Sequence, residues 1–309
     1  MFFLNFLSSF MADHKPFVMI QSSELIINKD GSIFHLHLRP EQIADDIILV
    51  GDPGRINLIA SYMDHTEFRI QNREFVSITG SYKNKRITVV STGIGTDNID
   101  IVVNELDALA NIDLEKREIK PGHRALNFIR IGTSGGLQDY IPVNSFVISK
   151  KAIGFDGLLN FYAGRNRVSD LAFEKAFKAH TGWNPLLTSP YVVDCSETLF
   201  NKIHSEKTYT GVTISAPGFY GPQGRVLRIP LADPDINSKI EAFSFNGLKI
   251  TNYEMECSAI YGLSALLGHQ ALTVCAIIAN RIVKNANEDY HEAIEQLVRL
   301  VLDGISQNE

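Results

Sequence analysis

Short apolar runs, several of which end at glycine, divide the chain into predicted β-strands. Val, Ile and Thr on both sides of a polar turn at residues 83–85 predict a hairpin. The run at residues 270–279 is almost wholly apolar, which is typical of a strand buried on both faces of a sheet. Applied along the chain, the pattern predicts strands at residues 47–50, 74–80, 86–92, 125–131, 145–149, 208–215, 248–252 and 270–279.

Between these runs the apolar positions follow helical spacing. Ile99, Val102 and Leu106 recur at intervals of three and four, so residues 98–110 predict a helix. Residues 113–123 are charged and end in Pro-Gly, which indicates a surface insertion. Further helices are predicted at residues 169–180, over about 15 residues from near Glu254, and at residues 289–303. Alternating strands and helices, with some hairpins, predict an α/β sandwich on a mixed sheet.

No repeat, low-complexity block or linker divides the sequence, which predicts a single domain over residues 31–309. Residues 1–30 are expected to form an N-terminal extension that is poorly ordered at its start. The first ten residues are mostly apolar, but no Lys or Arg precedes them and no cleavage pattern follows. We therefore expect an extension rather than a secretory signal, with Met11 or Met19 as alternative starts of translation. No run of about 18 apolar residues predicts a transmembrane helix.

Composition and charge exclude several classes of protein. Of the 309 residues, 45% are apolar and 21% are charged, which excludes intrinsic disorder and a disulfide-stapled mini-protein. The net charge of −6 argues against non-specific binding of nucleic acid and against docking on an anionic membrane, but it allows a local basic pocket. Cys195, Cys257 and Cys275 are far apart in the sequence, which favours a reducing, cytoplasmic location.

Two glycine-containing segments follow predicted strands, where α/β sheets gather their ligands. In residues 51–55 (GDPGR), Arg55 could bind an anion beside a flexible turn, although an ordinary turn with a solvated arginine is favoured by these five residues alone. Arg130 lies one residue inside the end of an apolar strand, so it needs an anionic partner, either a protein carboxylate or a ligand. Thr133 and the glycines after it are expected to form a strand-end loop with free N–H and O–H donors.

Two further segments carry polar side chains of different character. In residues 252–256 (NYEME), two carboxylates at a strand–helix junction either cap the helix or bind vicinal hydroxyls. In residues 219–225 (FYGPQGR), an aromatic platform precedes Gln223 and Arg225, a set that suits a flat heterocycle with carbonyl groups; a surface loop is the alternative. The sequence has no GxxxxGK[ST] pattern, and residues 93–95 (GIG) lack a third glycine, so a nucleotide cofactor is not expected.

Taken in order, these segments resemble one family. His35 and the motifs GDPGR, NREF, STGIG, RIGTSGG, FYGPQGR and NYEME are similar to the uridine phosphorylase branch of the nucleoside phosphorylases. The resemblance runs from about residue 31 to residue 305. It implies a three-layer α/β/α sandwich on a mixed, partly barrel-like sheet, and reversible phosphorolysis of uridine to uracil and ribose 1-phosphate.

The resemblance also implies a role for individual residues. Phosphate, a co-substrate, would be bound by Gly51, Arg55, Arg130 and Thr133, and by Arg73 of a neighbouring subunit. Ribose would contact Met255, Glu256 and a neighbour's His35, and the base would contact Phe219, Gln223 and Arg225. The residues expected to act in catalysis are Arg130, Glu256, Gln223 and Arg225. The implied assembly is a homodimer or a higher homo-oligomer, such as a trimer of dimers.

This sequence departs from the family pattern at a few positions, and these departures leave alternatives for its metal binding and its substrate. Gly221 and Pro222 are exchanged relative to the family's FYPGQ, and residues 111–124 are longer than in short bacterial members. Asn98 replaces a serine that joins Glu74 and Ile94 in a potassium site of some members, which leaves a weak potassium site there as an alternative to no metal at all; no organic cofactor is expected. No acid follows Ala279, where purine-specific relatives have an aspartate. The alternatives are a purine or broad-specificity phosphorylase, a nucleoside hydrolase, and a non-catalytic nucleoside-binding protein.

Overall fold

The computed structural model of the chain describes residues 19–287 and 289–307. The first 18 residues of the expected N-terminal extension lie outside the described residues. Within residues 19–30, Leu25 is buried in the core. The backbone N–H of Ile20 donates to the carbonyl oxygen of Arg117 at 2.8 Å. Residues 19–30 are therefore attached, at Ile20, to the charged segment at residues 113–123 that the sequence marks as an insertion.

Fourteen strands and seven α-helices make up the described fold. The strands are β1 (Asp46–Val50), β2 (His65–Asn72), β3 (Phe75–Tyr82), β4 (Lys85–Ser91), β5 (Ile112–Asp113), β6 (Glu118–Ile119), β7 (Asn127–Gly136), β8 (Phe146–Gly154), β9 (Tyr191–Asp194), β10 (Thr208–Ser215), β11 (Ser244–Phe245), β12 (Leu248–Glu254), β13 (Gln270–Asn280) and β14 (Asn285–Ala286). The helices are α1 (Gly54–Ala60), α2 (Thr96–Asn111), α3 (Leu171–Thr181), α4 (Glu197–Ile203), α5 (Ile236–Ala242), α6 (Cys257–Leu267) and α7 (His291–Ser306).

A single mixed sheet organises the molecule and closes partly on itself. Strands β7, β13, β8, β10 and β12 pair in a ring, which is completed by antiparallel pairing of β12 with β7. From β7 the sheet continues through β1, β4, β3 and β2. Helices α2 and α6 pack together, as do α4 and α7, and they cover the apolar strands. The prediction of an α/β/α sandwich on a partly barrel-like sheet is confirmed.

Two predicted boundaries are wrong. Residues 132–136 do not form a loop, because β7 continues through them and pairs with β13 and β12. Helix α6 begins at Cys257 rather than near Glu254, because Glu254 is still in β12 and pairs with Ser215 of β10. The prediction treats the glycines of residues 132–136 as the end of a strand. A glycine inside a strand can instead mark a place where another group approaches the backbone closely.

Candidate active site

A cleft of about 740 Å³ lies where β1, β7, β12 and β13 end. Its walls bring together four of the segments that the sequence singles out. Residues expected to bind phosphate, ribose and base share this one cavity, which contains Gly51, Arg55, Arg130, Thr133, Phe219, Gln223, Arg225, Met255 and Glu256. The walls also contain Ser134, Tyr253, Glu254 and Ile278.

Arg130 is buried at the floor of the cleft and pairs with two carboxylates. One guanidinium nitrogen donates to Glu256, and the other lies 3.5 Å from a carboxylate oxygen of Glu254. Burial opposes the charge of Arg130, but Glu256 and Glu254 outweigh it and hold the pKa above the ordinary arginine value. The partner that the sequence required is thus a protein carboxylate, and Nε of Arg130 has no partner among the described residues.

Gly132 makes room for this guanidinium. A Cβ on Gly132 would lie 1.8 Å from a nitrogen of Arg130 and 2.8 Å from the sulfur of Cys275. Residues two apart in a strand lie on the same face of the sheet, so Arg130 and Gly132 share a face. The Arg130 side chain lies over Gly132, in the space that a Cβ would fill. The glycine that looked like a strand breaker is the reason the arginine fits.

The two glutamates of NYEME have different tasks. Glu254 accepts hydrogen bonds from the backbone N–H groups of Glu256 and Cys257 at 2.9 Å, so it caps α6 from the end of β12. Burial raises the pKa of Glu254 to about 7, although Arg130 opposes the shift. Glu256 does not cap α6; it accepts from Arg130 and, at 2.7 Å, from the N–H of Gly95. The capping interpretation is right for Glu254 and wrong for Glu256.

Gly95 can offer that N–H because of its backbone conformation. Its φ of 102° lies in the region that favours glycine. A Cβ there would come within 2.7 Å of Asp97. The STGIG turn between β4 and α2 therefore reaches across the cleft to the carboxylate of Glu256.

Near Arg130, Arg55 adds a second cation to the cleft. It lies in the first turn of α1, and a guanidinium nitrogen donates to the carbonyl oxygen of Ile131 at 3.4 Å. Burial and the charge of Arg130 both lower the pKa of Arg55. The hydroxyl of Ser134 is buried in the same wall with no partner among the described residues. Two cations and an unpaired hydroxyl donor are a suitable environment for a multivalent anion.

At the opposite end, two arginines converge on one amide oxygen. Oε1 of Gln223 accepts from Arg225 at 2.7 Å and from Arg281 at 3.0 Å. Arg225 also lies 3.6 Å above the ring of Phe219. Burial, followed by the charge of Arg225, lowers the pKa of Arg281 to about 10. This end of the cleft can stabilise negative charge on a flat ligand without an acidic side chain.

His35 and Arg73 do not line this cleft, but they lie together elsewhere. The guanidinium of Arg73 lies 5.2 Å from the ring of Phe34, which contacts His35 edge-on at 4.7 Å between centroids. Nδ2 of Asn72 donates to the carbonyl oxygen of His35 at 2.7 Å. Both residues that the resemblance assigns to a neighbouring subunit therefore form one surface patch.

Two groups of side chains contain atoms that could bind a metal ion. Glu74, Ile94 and Asn98 all line the cleft. Separately, ligand atoms of Asp107, His123 and His269 lie within 4.8 Å of one another. There the N–H of Leu126 donates to Nδ1 of His269, so Nε2 carries a hydrogen and donates to Asp107 at 3.0 Å. Because Nε2 of His269 carries this hydrogen, it has no lone pair to offer a metal ion, and His269 and Asp107 are better described as a hydrogen-bonded pair with a partly exposed carboxylate.

Sequence reasoning missed three residues of this site. In the sequence, the residues after Ala279 stand out only for the absence of an acid, Arg281 is not singled out, and Ser134 lies in an expected loop. Glu254 was considered together with Glu256 as one pair. A signal for Arg281 existed. It closely follows an almost wholly apolar predicted strand, and Arg130 likewise lies near the end of an apolar predicted strand.

The sequence profile of the Phosphorylase superfamily matches residues 45–303. A uridine phosphorylase of Thermococcus kodakarensis is 29% identical over 269 residues, covering 84% of this chain and 82% of that protein. A DeoD-type purine nucleoside phosphorylase of Clostridium perfringens is 29% identical over 272 residues, covering 87% and 97%. The crystal structure of a Trypanosoma brucei nucleoside phosphorylase, described as showing uridine phosphorylase activity, superimposes with a TM-score of 0.82 at 30% identity and covers 91% of this chain and 98% of that one.

Proposed function

Because the chain belongs to the Phosphorylase superfamily, we propose that it catalyses the reversible phosphorolysis of uridine to uracil and ribose 1-phosphate. The observation that carries the proposal is the single cleft whose walls bring together Arg55 and Arg130, Glu256, and Gln223. These groups match the three parts of the substrate pair: a phosphate dianion, ribose hydroxyls and a base with carbonyl groups.

The chemistry follows from where charge develops. Breaking the N-glycosidic bond leaves positive charge on the ribose and negative charge on the base. A phosphate held by Arg55 and Arg130 beneath the anomeric carbon is both nucleophile and counter-charge. Arg225, which lines the cleft, would stabilise the departing uracil anion directly, and Arg281 would act through Gln223, so no acid has to protonate it. Glu256 would accept hydrogen bonds from the ribose 2′- and 3′-hydroxyls.

Phosphorolysis is favoured over hydrolysis by the arginines. A hydrolase activates water and has no use for two buried cations at the end of the cleft away from Gln223. A binding protein without turnover would not need a carboxylate and a guanidinium held together beside Gly95. Phosphate is thus a co-substrate, and we propose no organic cofactor.

A purine nucleoside is the second candidate, favoured by the similarity to a purine nucleoside phosphorylase. The chemistry of the cleft argues against it. A purine leaves best when N7 is protonated, and the residues after β13 begin with Arg281 instead of an acid. Asn280, before it, donates Nδ2 to two backbone carbonyl oxygens and is engaged in the fold.

We further propose a homodimer or higher oligomer in the cytoplasm. The patch of His35 and Arg73 outside the cleft supports the assembly, because a two-fold partner can present it to a neighbouring pocket. All three cysteines are buried free thiols, which supports a reducing compartment. No helix in residues 19–287 and 289–307 is long and apolar enough to cross a membrane.

The test is the consumption of uridine with and without inorganic phosphate, with uracil and ribose 1-phosphate separated by chromatography. We expect turnover only with phosphate, and a kcat/KM for uridine far above that for inosine. Uracil released equally well without phosphate would indicate a hydrolase, and a higher kcat/KM for inosine would indicate the purine alternative. No turnover of any nucleoside would indicate a binding protein.

A further inference from the structure

A carboxylate outside the recognised motifs, Glu105 of α2, holds the segment that carries His35. Its Oε1 lies 2.6 Å from Nδ1 of His35. It also accepts from the backbone N–H of His35 at 3.0 Å and from that of Leu36 at 2.8 Å. Asn72 holds the opposite side through the carbonyl oxygen of His35. Backbone and ring of His35 are therefore fixed by the same carboxylate.

This contact decides which ring nitrogen is free. A carboxylate only accepts hydrogen bonds, so the nitrogen that faces it carries a hydrogen. Nδ1–H of His35 therefore donates to Glu105, and Nε2 is the nitrogen left for a ligand. The side chain of Glu105 is 13% exposed and that of His35 is 26% exposed. The carboxylate is covered while an edge of the imidazole remains accessible.

We propose that Glu105 is a positioning residue for recognition of the nucleoside 5′-hydroxyl, acting by fixing the tautomer and the direction of His35. The inference rests on the proposed function and on the ribose contact that the resemblance implies for a neighbouring subunit's His35, which is a contact with the 5′-hydroxyl. A carboxylate behind an imidazole sets which nitrogen faces the ligand. Three donors converge on Glu105, and a neutral amide at this position could not accept from all of them, because its nitrogen only donates.

The experiment compares kcat/KM for uridine and 5′-deoxyuridine in the wild type, Glu105→Gln, His35→Ala and the double variant. One hydrogen bond to the 5′-hydroxyl should give the wild type a preference for uridine of about three- to tenfold. Each single variant should lose the preference through a lower value for uridine, with little change for 5′-deoxyuridine. The double variant should show no further loss of preference, because both residues act through one contact.

Asp100→Asn is the matched control on the same helix. Asp100 accepts a hydrogen bond from the hydroxyl of Tyr162 and does not contact His35. Its preference for uridine over 5′-deoxyuridine should equal that of the wild type. A preference retained in Glu105→Gln, or equal losses on both substrates, would overturn the inference, as would a wild type without the preference.

A second measurement needs no variant of Glu105. The wild-type protein is labelled with ¹⁵N-histidine, and the NMR signal of the His35 ring is identified as the one that is missing from the spectrum of His35→Ala. This signal should show a hydrogen on Nδ1. Hydrogen on Nε2 alone would overturn the inference even if Glu105→Gln did not fold. The proposed function fails in a different way, since the wild type would then not consume uridine in a phosphate-dependent manner.

Discussion

At the scale of single residues, the cleft depends on side chains that need space as much as on those that carry charge. Gly132 contributes no functional group, yet it determines whether the guanidinium of Arg130 can lie in the cleft beside Glu256. Through its contact with Glu256, the guanidinium connects the residue proposed to bind ribose with those proposed to bind phosphate. A substitution at either position should therefore produce the same functional defect.

Gly132→Ala should reproduce the defect of Arg130→Ala. The added Cβ would occupy the position of a guanidinium nitrogen, so Arg130 must leave its carboxylate partners. We expect a loss of about 2–4 kcal/mol of transition-state stabilisation, measured as kcat/KM at varied phosphate. Gly122→Ala is the control, because a Cβ there meets nothing within 4 Å. Wild-type kinetics in Gly132→Ala would mean that Arg130 can act from another position.

Arg281→Ala should weaken binding and departure of the base. Gln223 would lose one of the two arginines on its Oε1, and a hydrogen bond to a charged group is worth about 1.5–3 kcal/mol. We expect kcat/KM for uridine to fall accordingly, while KM for phosphate changes little. Arg228→Ala, an exposed arginine of the same loop as Arg225, serves as the control. An equal rise in both KM values would show that Arg281 supports the fold and not the base end.

The sequence predicted residue types better than residue partners. It identified Arg130 and required an anion for it, but it could not separate the tasks of Glu254 and Glu256. Those tasks depend on β12 continuing to Glu254, two residues beyond its predicted end, and the local apolar pattern does not encode strand boundaries. Arg281 was missed because its contact with Gln223 spans 58 positions of the chain.

At the scale of elements, the long buried strands were predicted well, whereas the short buried strand β9 and the exposed strand β2 were missed. β13 is almost continuously buried, and its apolar run announces it. β2 has no buried residue and alternates between exposed and half-exposed positions, so nothing in its hydrophobic pattern marks it as a strand. It exists because β3 offers it an antiparallel partner, a tertiary cause that the local sequence does not carry.

A contact between α7 and the β3–β4 turn gives a prediction for pH. Asp303 accepts from Lys83 at 2.7 Å and from the hydroxyl of Tyr82 at 2.8 Å, and these bonds, that of Lys83 first, lower the pKa of Asp303. Because the folded-state pKa lies below the unfolded value, the stabilisation is present above about pH 4 and is lost as the pH falls through the folded-state pKa.

Asp303→Asn should therefore lower Tm at pH 7 by roughly 1–2 °C, the size expected of a half-exposed pair. The difference from the wild type should shrink as the pH is lowered below about 4. Thermal unfolding followed by circular dichroism across this range is the measurement, with Asp139→Asn as the control. A difference that grew in acid would contradict the assignment of the pKa shift.

At the scale of the whole molecule, the closed part of the sheet and its open extension have different roles. The ring of β7, β8, β10, β12 and β13 carries Arg130 and the NYEME segment, and the extension through β1 to β2 carries the turns of Arg55 and Arg73. Family similarity and the apolar pattern together predicted this architecture. The partial closure of the sheet was implied by the family similarity, but neither the strands that make it, β12 and β7, nor the attachment of residues 19–30 could be predicted, since both depend on pairing between distant segments.

The proposed assembly predicts complementation between two inactive proteins. Arg73→Ala and Glu256→Ala damage the same pocket from different subunits, so each protein alone should be nearly inactive. Unfolded and refolded together, half of the dimers should be mixed, and one of the two pockets in each should be intact, which restores roughly a quarter of wild-type activity. Mixed oligomers that stay inactive would show that Arg73 does not act across the interface.

The pairing of Arg130 with Glu256 has a thermodynamic consequence for the two substrates. A phosphate that draws the guanidinium toward itself weakens this ion pair and leaves the carboxylate more available to ribose hydroxyls. Ribose hydroxyls that engage the carboxylate release the guanidinium toward phosphate in the same way. Since linkage is reciprocal, each substrate must raise the affinity for the other by the same factor. Cooperation between nucleoside and phosphate would then reside in a single internal salt bridge, without any movement of the fold.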